Sequence, residues 1–184
     1  MRYPLAAIAA RLAASLCLLA AGATAASAQV QCWMAPSVGP PIVDDAHILC
    51  GVINAAGLAR GFHSRPGGVN PVGPGGAAII GNGAVVPAAA GAPLGIYRLT
   101  GFTITQGGVT NVKLPYSTMF PDACSAASVL AAVRHAVAGA APGGAFNGQN
   151  GPPPACQAGN PGGQFNITGF TNGNGDVLTA HPAY

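Results

Sequence analysis

Apolar residues in this chain recur mostly in short alternating runs broken by Gly, Pro and Asn, a pattern of antiparallel strands rather than of long helices. The first unit covers residues 48–53, turns at Asn54-Ala55-Ala56-Gly57 and returns over residues 58–62, so a β-hairpin is expected with His47 and His63 at its outer ends. Antiparallel pairing about that turn sets the two imidazoles roughly opposite each other, with Cβ atoms about 4.5 to 5.5 Å apart. A second hairpin is expected from residues 96–105 through Gln106-Gly107-Gly108 to residues 109–113. A third runs from residues 164–170 through Asn172-Gly173-Asn174-Gly175-Asp176 to residues 177–181.

Helical periodicity occurs once. After Ser125, a candidate N-cap, Val129, Leu130, Val133 and Val137 fall on one side at helical spacing, and Gly139 stands near the end. Residues 64–95 and 141–163 are rich in Gly and Pro and are read as long loops, the first with room for a short strand at 77–80. The expected class is α+β, antiparallel hairpins and sheets with few helices, in a single domain over residues 29–184.

Arg2 and Arg11, an apolar stretch over residues 12–21 and Ala26-Ser27-Ala28 before Gln29 have the layout of a secretory signal peptide, so residues 1–28 are set aside from the fold and cleavage is expected after Ala28. The apolar stretch is short for a membrane span of about 20 residues. The expected mature form is therefore free of the membrane, and secreted or periplasmic. Without the leader, Arg60, Arg65, Arg98, Lys113 and Arg134 stand against four aspartates, a formal charge of +1. A basic coat that would track nucleic acid by charge alone is absent, so an RNA ligand would have to be gripped at one site. Cys32, Cys50, Cys124 and Cys156 remain, an even number in an exported chain, and suggest two disulfides. Three connectivities are open; proximity favours Cys32 with Cys50 and Cys124 with Cys156. No C-x-x-C pair suggests zinc, and no metal or cofactor is expected.

The chain has no glutamate and a single lysine, Lys113. Acid–base chemistry here would fall to histidine rather than to paired carboxylates. Two groups titrating near pH ~6.5 can supply one acid and one base to a single substrate, as transesterification of an RNA phosphodiester requires. His135, on the opposite side of the helix from most of the valines, is expected to be exposed. Arg65 and Arg98 could meet phosphates but read as isolated surface arginines.

His47-Ile48-Leu49-x-Gly51, Gly61-Phe62-His63, Lys113-x-x-x-Ser117, Phe120-Pro121-Asp122 opening a helix, and Thr179-x-His181-Pro182 occur in the order found in bacterial EndoU-type ribonucleases. Over residues 44–182 the chain resembles that family and, more faintly, the nidoviral uridylate-specific endoribonucleases. The resemblance implies an EndoU-like fold and metal-independent cleavage of RNA 3′ of a nucleotide, commonly uridine. The nucleotide's own 2′-hydroxyl attacks and leaves a 2′,3′-cyclic phosphate. It further implies His47, His63 and Lys113 as the catalytic trio, with His63 as base and His47 as acid, and Ser117 and Thr179 at positions that bind the base. Where the family usually has tyrosine, this chain has His181, so His181 is the expected packing partner of base or sugar.

Many bacterial relatives are toxin domains on large delivery proteins. A toxin-like effector with an immunity protein as partner is therefore the alternative to a free-standing ribonuclease. A non-catalytic extracellular domain is the third possibility. An enzyme needs His47, His63 and Lys113 to converge on an open cleft; a structural domain would bury or scatter them.

Overall fold

The computed structural model describes residues 29–32, 37–73, 77–79, 83–87, 93–159 and 163–183. The expected leader, residues 1–28, lies outside them. Glycine and local polar bonds decide where the strands turn. Strands β6 (Thr103–Gln106) and β7 (Val109–Val112) are joined by Gly107 and Gly108, both at positive φ (56° and 79°), the two-residue hairpin that matches strand twist. Strands β10 (Asn166–Thr171) and β11 (Val177–Pro182) are joined by a turn in which the Asn172 side chain accepts from the backbone N–H of Asn174 and Asp176, both at 2.9 Å.

Two expected strands are not continuous. Residues 96–105 are split at Gly101 (φ +68°) into β5 (Tyr97–Thr100) and β6, which lie in different sheets. Residues 46–50 form a π-helical turn rather than a strand arm, which leaves only β1 (Val52–Ile53) and β2 (Ala59–Arg60) as the hairpin. Asp44 starts that turn: its Oδ1 accepts from the His47 N–H at 2.9 Å.

The Gly/Pro-rich segments also contribute strands. β3 (Ala77–Ile79) pairs with β6, and β4 (Ala84–Pro87) pairs with β5, whose other edge carries β8 (Ser117–Met119). Residues 145–149, read as loop, form β9 (Ala145–Gln149), the edge partner of β10 in the sheet β11-β10-β9. Composition misleads here because Gly148 serves packing: a Cβ at that position would lie 2.1 Å from the Ala136 carbonyl oxygen, so glycine lets the strand lie against the helix.

The helix α1 (Ala126–Val137) begins as expected, with Ser128 N–H donating to Ser125 Oγ at 3.1 Å, a cap worth about 0.5 to 2 kcal/mol. Val129, Val133 and Val137 are buried against Phe146, Ile167 and Ala180, and His135 is exposed. Both disulfides, Cys32–Cys50 and Cys124–Cys156, belong to this first core. A second, smaller core gathers Phe62, Leu99, Phe102, Ile104 and Met119, with Phe62 and Phe102 edge to face at 5.4 Å. The observed class is α+β. Among the described residues no helix is long and apolar enough to cross a membrane. That and the disulfides are compatible with a secreted or periplasmic protein.

Candidate active site

The histidine pair forms by another route than a regular hairpin. In the register set by Val52↔Arg60 and Ile53↔Ala59, an extended arm would carry His47 beyond His63. The helical turn shortens that arm, because helix rises about 1.5 Å per residue against about 3.3 Å in a strand. Phe62 N–H then donates to His47 O at 2.8 Å and His63 N–H to Ile48 O at 2.6 Å. The imidazoles stack at 6.1 Å between ring centroids, 25° from parallel. They are neighbours, not a directly opposed cross-strand pair. Gly61 makes the approach possible, since a Cβ there would lie 2.0 Å from His47 O. Phe62 follows at φ +61°, a conformation rare for a bulky side chain, held by its complete burial in the second core.

β8 locks this segment from the other side. Phe120 N–H donates to His63 O at 2.7 Å, and Ser117 Oγ to Gly61 O at 2.8 Å. Ser117 is 1% exposed and does not line the cleft. Its hydroxyl holds Gly61 in place, and the geometry offers it no contact with a base. Asp122, in the same segment, binds Arg65 Nη2 at 2.9 Å and accepts from Tyr97 Oη at 2.5 Å, so Arg65 is a structural ion pair rather than an isolated surface cation.

The tautomer of His63 follows from its partner. Nδ1 lies 3.0 Å from Thr118 O, and a carbonyl can only accept, so Nδ1 carries the proton and Nε2 presents its lone pair. Burial pushes the His63 pKa well below 6.5, helped by His181 and His47 beside it, so the ring is neutral over a wide range. Burial also lowers the His47 pKa, less far, with the Asp44 carboxylate acting in the opposite sense. Lys113 leaves the end of β7 with its N–H on Phe102 O at 2.9 Å and its Nζ on Tyr116 O at 3.2 Å. Burial and then Arg60 lower its pKa.

β11 supplies Thr179 and His181 to the same space. The His181 ring lies 5.0 Å from that of His63. Its register partner is Thr168, which in turn faces Asn147 on β9, so the three side chains form a row across the sheet. These groups bound a cleft of about 680 Å³ whose walls include His47, His63, Lys113, Thr179 and His181. Arg60, Arg98, Tyr116, Asn147 and Thr168 also line it and had not been singled out as site residues. Arg60 directly precedes Gly61-Phe62-His63 and Tyr116 lies inside Lys113-x-x-x-Ser117, so motif adjacency could have found both. Asn147 required knowing that β9 exists. The Arg98 guanidinium sits over the Tyr116 ring at 4.3 Å.

No lining residue among those described is acidic, and Arg60, Arg98 and Lys113 bring positive charge, so the cleft attracts anions before any histidine protonates. Among the described residues no group of three His, Cys, Asp or Glu side chains is disposed to hold a metal ion. A neutral imidazole with a free lone pair, a second imidazole that protonates more readily and a desolvated ammonium around one anion-attracting space can exchange protons with, and offset charge on, a phosphodiester. A family model described as bacterial EndoU nuclease matches residues 43–184, a span that contains every residue lining the cleft. No curated protein and no solved structure matches the chain.

Proposed function

Because the chain belongs to the bacterial EndoU nuclease family, we propose that it is a secreted, metal-independent endoribonuclease that cleaves RNA 3′ of uridine. The observation that carries this reading is the convergence of His47, His63 and Lys113 on one open cleft with no acidic residue among its described lining, where a structural domain would have scattered them. His63 Nε2 takes the proton of the 2′-hydroxyl, and the 2′-oxygen attacks phosphorus. His47, protonated, gives its proton to the departing 5′-oxygen, so the products are a 2′,3′-cyclic phosphate and a 5′-hydroxyl. Lys113 Nζ offsets the charge that builds on the non-bridging oxygens. The assignment of base and acid rests on the His63 tautomer and on the stronger depression of its pKa relative to His47.

Thr179 is the group offered to the pyrimidine edge, and His181 packs beside the sugar or base as the family's tyrosine would. The test is incubation of the mature protein with a labelled uridine-containing RNA in EDTA. Cleavage with 2′,3′-cyclic phosphate ends is expected; 5′-phosphate ends, or cleavage that stops in EDTA, would overturn the reading.

A further inference from the structure

A second cavity of about 380 Å³ opens on the same face of the β11-β10-β9 sheet, lined by Pro93, Gln149, Gln164, Phe165, Asn166 and Ala183. Ala183 also lines the catalytic cleft, so the two spaces adjoin. Asn166 pairs with Gln149, and Ala183 N–H donates to Asn166 O at 2.8 Å, so Ala183, Asn166 and Gln149 form a row beside the row of His181, Thr168 and Asn147. The rows are two residues apart along each strand, about 6.7 Å. That is close to the repeat of one nucleotide in an extended single strand.

The chemistry of the two spaces differs. The catalytic cleft holds Arg60, Arg98 and Lys113, whereas the second cavity holds three carboxamides and, among the described residues, no charged side chain. Each carboxamide carries both a donor and an acceptor, and among the described residues those of Gln149, Gln164 and Asn166 bond no other side chain or backbone group. A neutral, amide-lined cavity in the size range of small-molecule sites suits the hydrogen-bonding edge of a nucleobase rather than a phosphate. Row order sets the polarity. Thr179 lies on the opposite side of His181 from Ala183 along β11. With the uridine base at Thr179 and the scissile phosphate beside His63 and His181, the strand continues in the 3′ direction into the amide cavity.

On the ribonuclease reading given above, we infer that the cavity of Gln149, Gln164 and Asn166 is a subsite for the base of the nucleotide 3′ to the cleaved bond. The enzyme then reads a dinucleotide step rather than a single uridine. The experiment compares kcat/KM on four trinucleotides that differ only in the base following uridine, and on uridine 3′-(4-nitrophenyl phosphate), which has no base on that side. Wild type should separate the best and worst 3′ base by roughly tenfold, and Gln149→Ala with Asn166→Ala should level that difference, each lost hydrogen bond costing a few-fold. Both side chains are on the open face of the sheet, and the nitrophenyl ester reports whether the variant is folded. The defect should be confined to substrates that carry a 3′ base. A flat wild-type profile, a variant profile identical to wild type, or equal loss on the nitrophenyl ester would each overturn the subsite while leaving the ribonuclease reading intact. Absence of any cleavage by wild type would overturn both.

Discussion

The two cores differ in how they are held. The first packs α1 against the β11-β10-β9 sheet and contains all four cysteines of both disulfides, and each link is worth about 3 to 4 kcal/mol in the loop-entropy model. The second comprises, among the described residues, seven buried side chains and no covalent link, beside a Gly/Pro-rich segment whose strand β4 is exposed at all four positions. The site draws on both. His47, Thr179 and His181 come from elements of the first core, Lys113 and Arg98 from strands around the second, and His63 follows Phe62 of the second while its N–H is bonded to Ile48 of the first. His47 and His181 are thus anchored on the stapled side, Lys113 and Arg98 on the unstapled one, and His63 between them. Fewer buried contacts and no staple place the second core at the low-stability end of the molecule.

The largest effects should come from the three residues that the two sides bring together, His47, His63 and Lys113. His63→Ala and His47→Ala should each lower kcat by about 10²- to 10⁴-fold, and Lys113→Ala by about 10²- to 10³-fold, in single-turnover cleavage of RNA. A variant at any of the three that retains full rate would remove that residue from the trio.

Stability should divide along the same line. Removing the Cys32–Cys50 link by paired alanine substitution should cost about 2 to 5 kcal/mol in urea unfolding. It should also lower kcat at temperatures where the protein stays folded, because Cys50 closes the turn that carries His47. Removing Cys124–Cys156 should cost a similar stability with kcat preserved. Leu99→Ala, in the second core, should cost about 2 to 5 kcal/mol. In native-state hydrogen exchange, β5, β6 and β7 should open more readily than α1 and β10; the opposite order would reverse the comparison.

Smaller effects should appear with pH. Burial holds both His47 and His63 below 6.5, His63 further, so on the proposed mechanism kcat/KM should rise through the His63 pKa and fall through the His47 pKa, placing its maximum on the acid side of 6.5. For stability the sign is fixed by the same depression. Folded His63 binds fewer protons than unfolded His63, so its contribution is complete above pH 6.5 and is lost as pH falls toward its folded pKa. Urea midpoints measured against pH should fall below 6.5 in wild type and stay flatter in His63→Gln.

The smallest effects concern the base. Thr179→Ala should blur uridine against cytidine, and His181→Tyr should improve KM with little change in base preference, read by mapping cleavage positions on one RNA. Ser117→Ala should leave base preference unchanged and lower stability by about 1 kcal/mol, since its hydroxyl serves Gly61.

What pattern alone foretold tracks how local the cause was. Ser125 and its valines, the Gly107-Gly108 turn and the β10–β11 hairpin are specified by neighbouring residues, and the sequence identified each of them. The pairing of the cysteines followed from proximity. β4 and β9 were hidden because their strand character comes from partners distant in sequence, and a glycine such as Gly148 that serves close packing looks like a strand breaker. The turn at Ala46–Cys50 was hidden for a related reason: Ile48, Leu49 and Cys50 are all buried, and such a run fits a strand as well as a helical turn. The histidine pair was found despite that, because its sequence neighbours were right even though its geometry was not. Ser117 shows the opposite case, a residue in the right motif whose side chain faces the fold.

The division of labour between the two histidines can be measured directly with an RNA in which sulfur replaces the 5′-oxygen of the scissile linkage. A thiolate departs without being protonated, so a missing general acid no longer matters, whereas the 2′-hydroxyl still needs its base. His47→Ala should cleave this substrate at close to the wild-type rate, and His63→Ala should remain slow. Rescue of His63→Ala, or a His47→Ala variant as slow on sulfur as on oxygen, would contradict the assignment of His63 as base and His47 as acid.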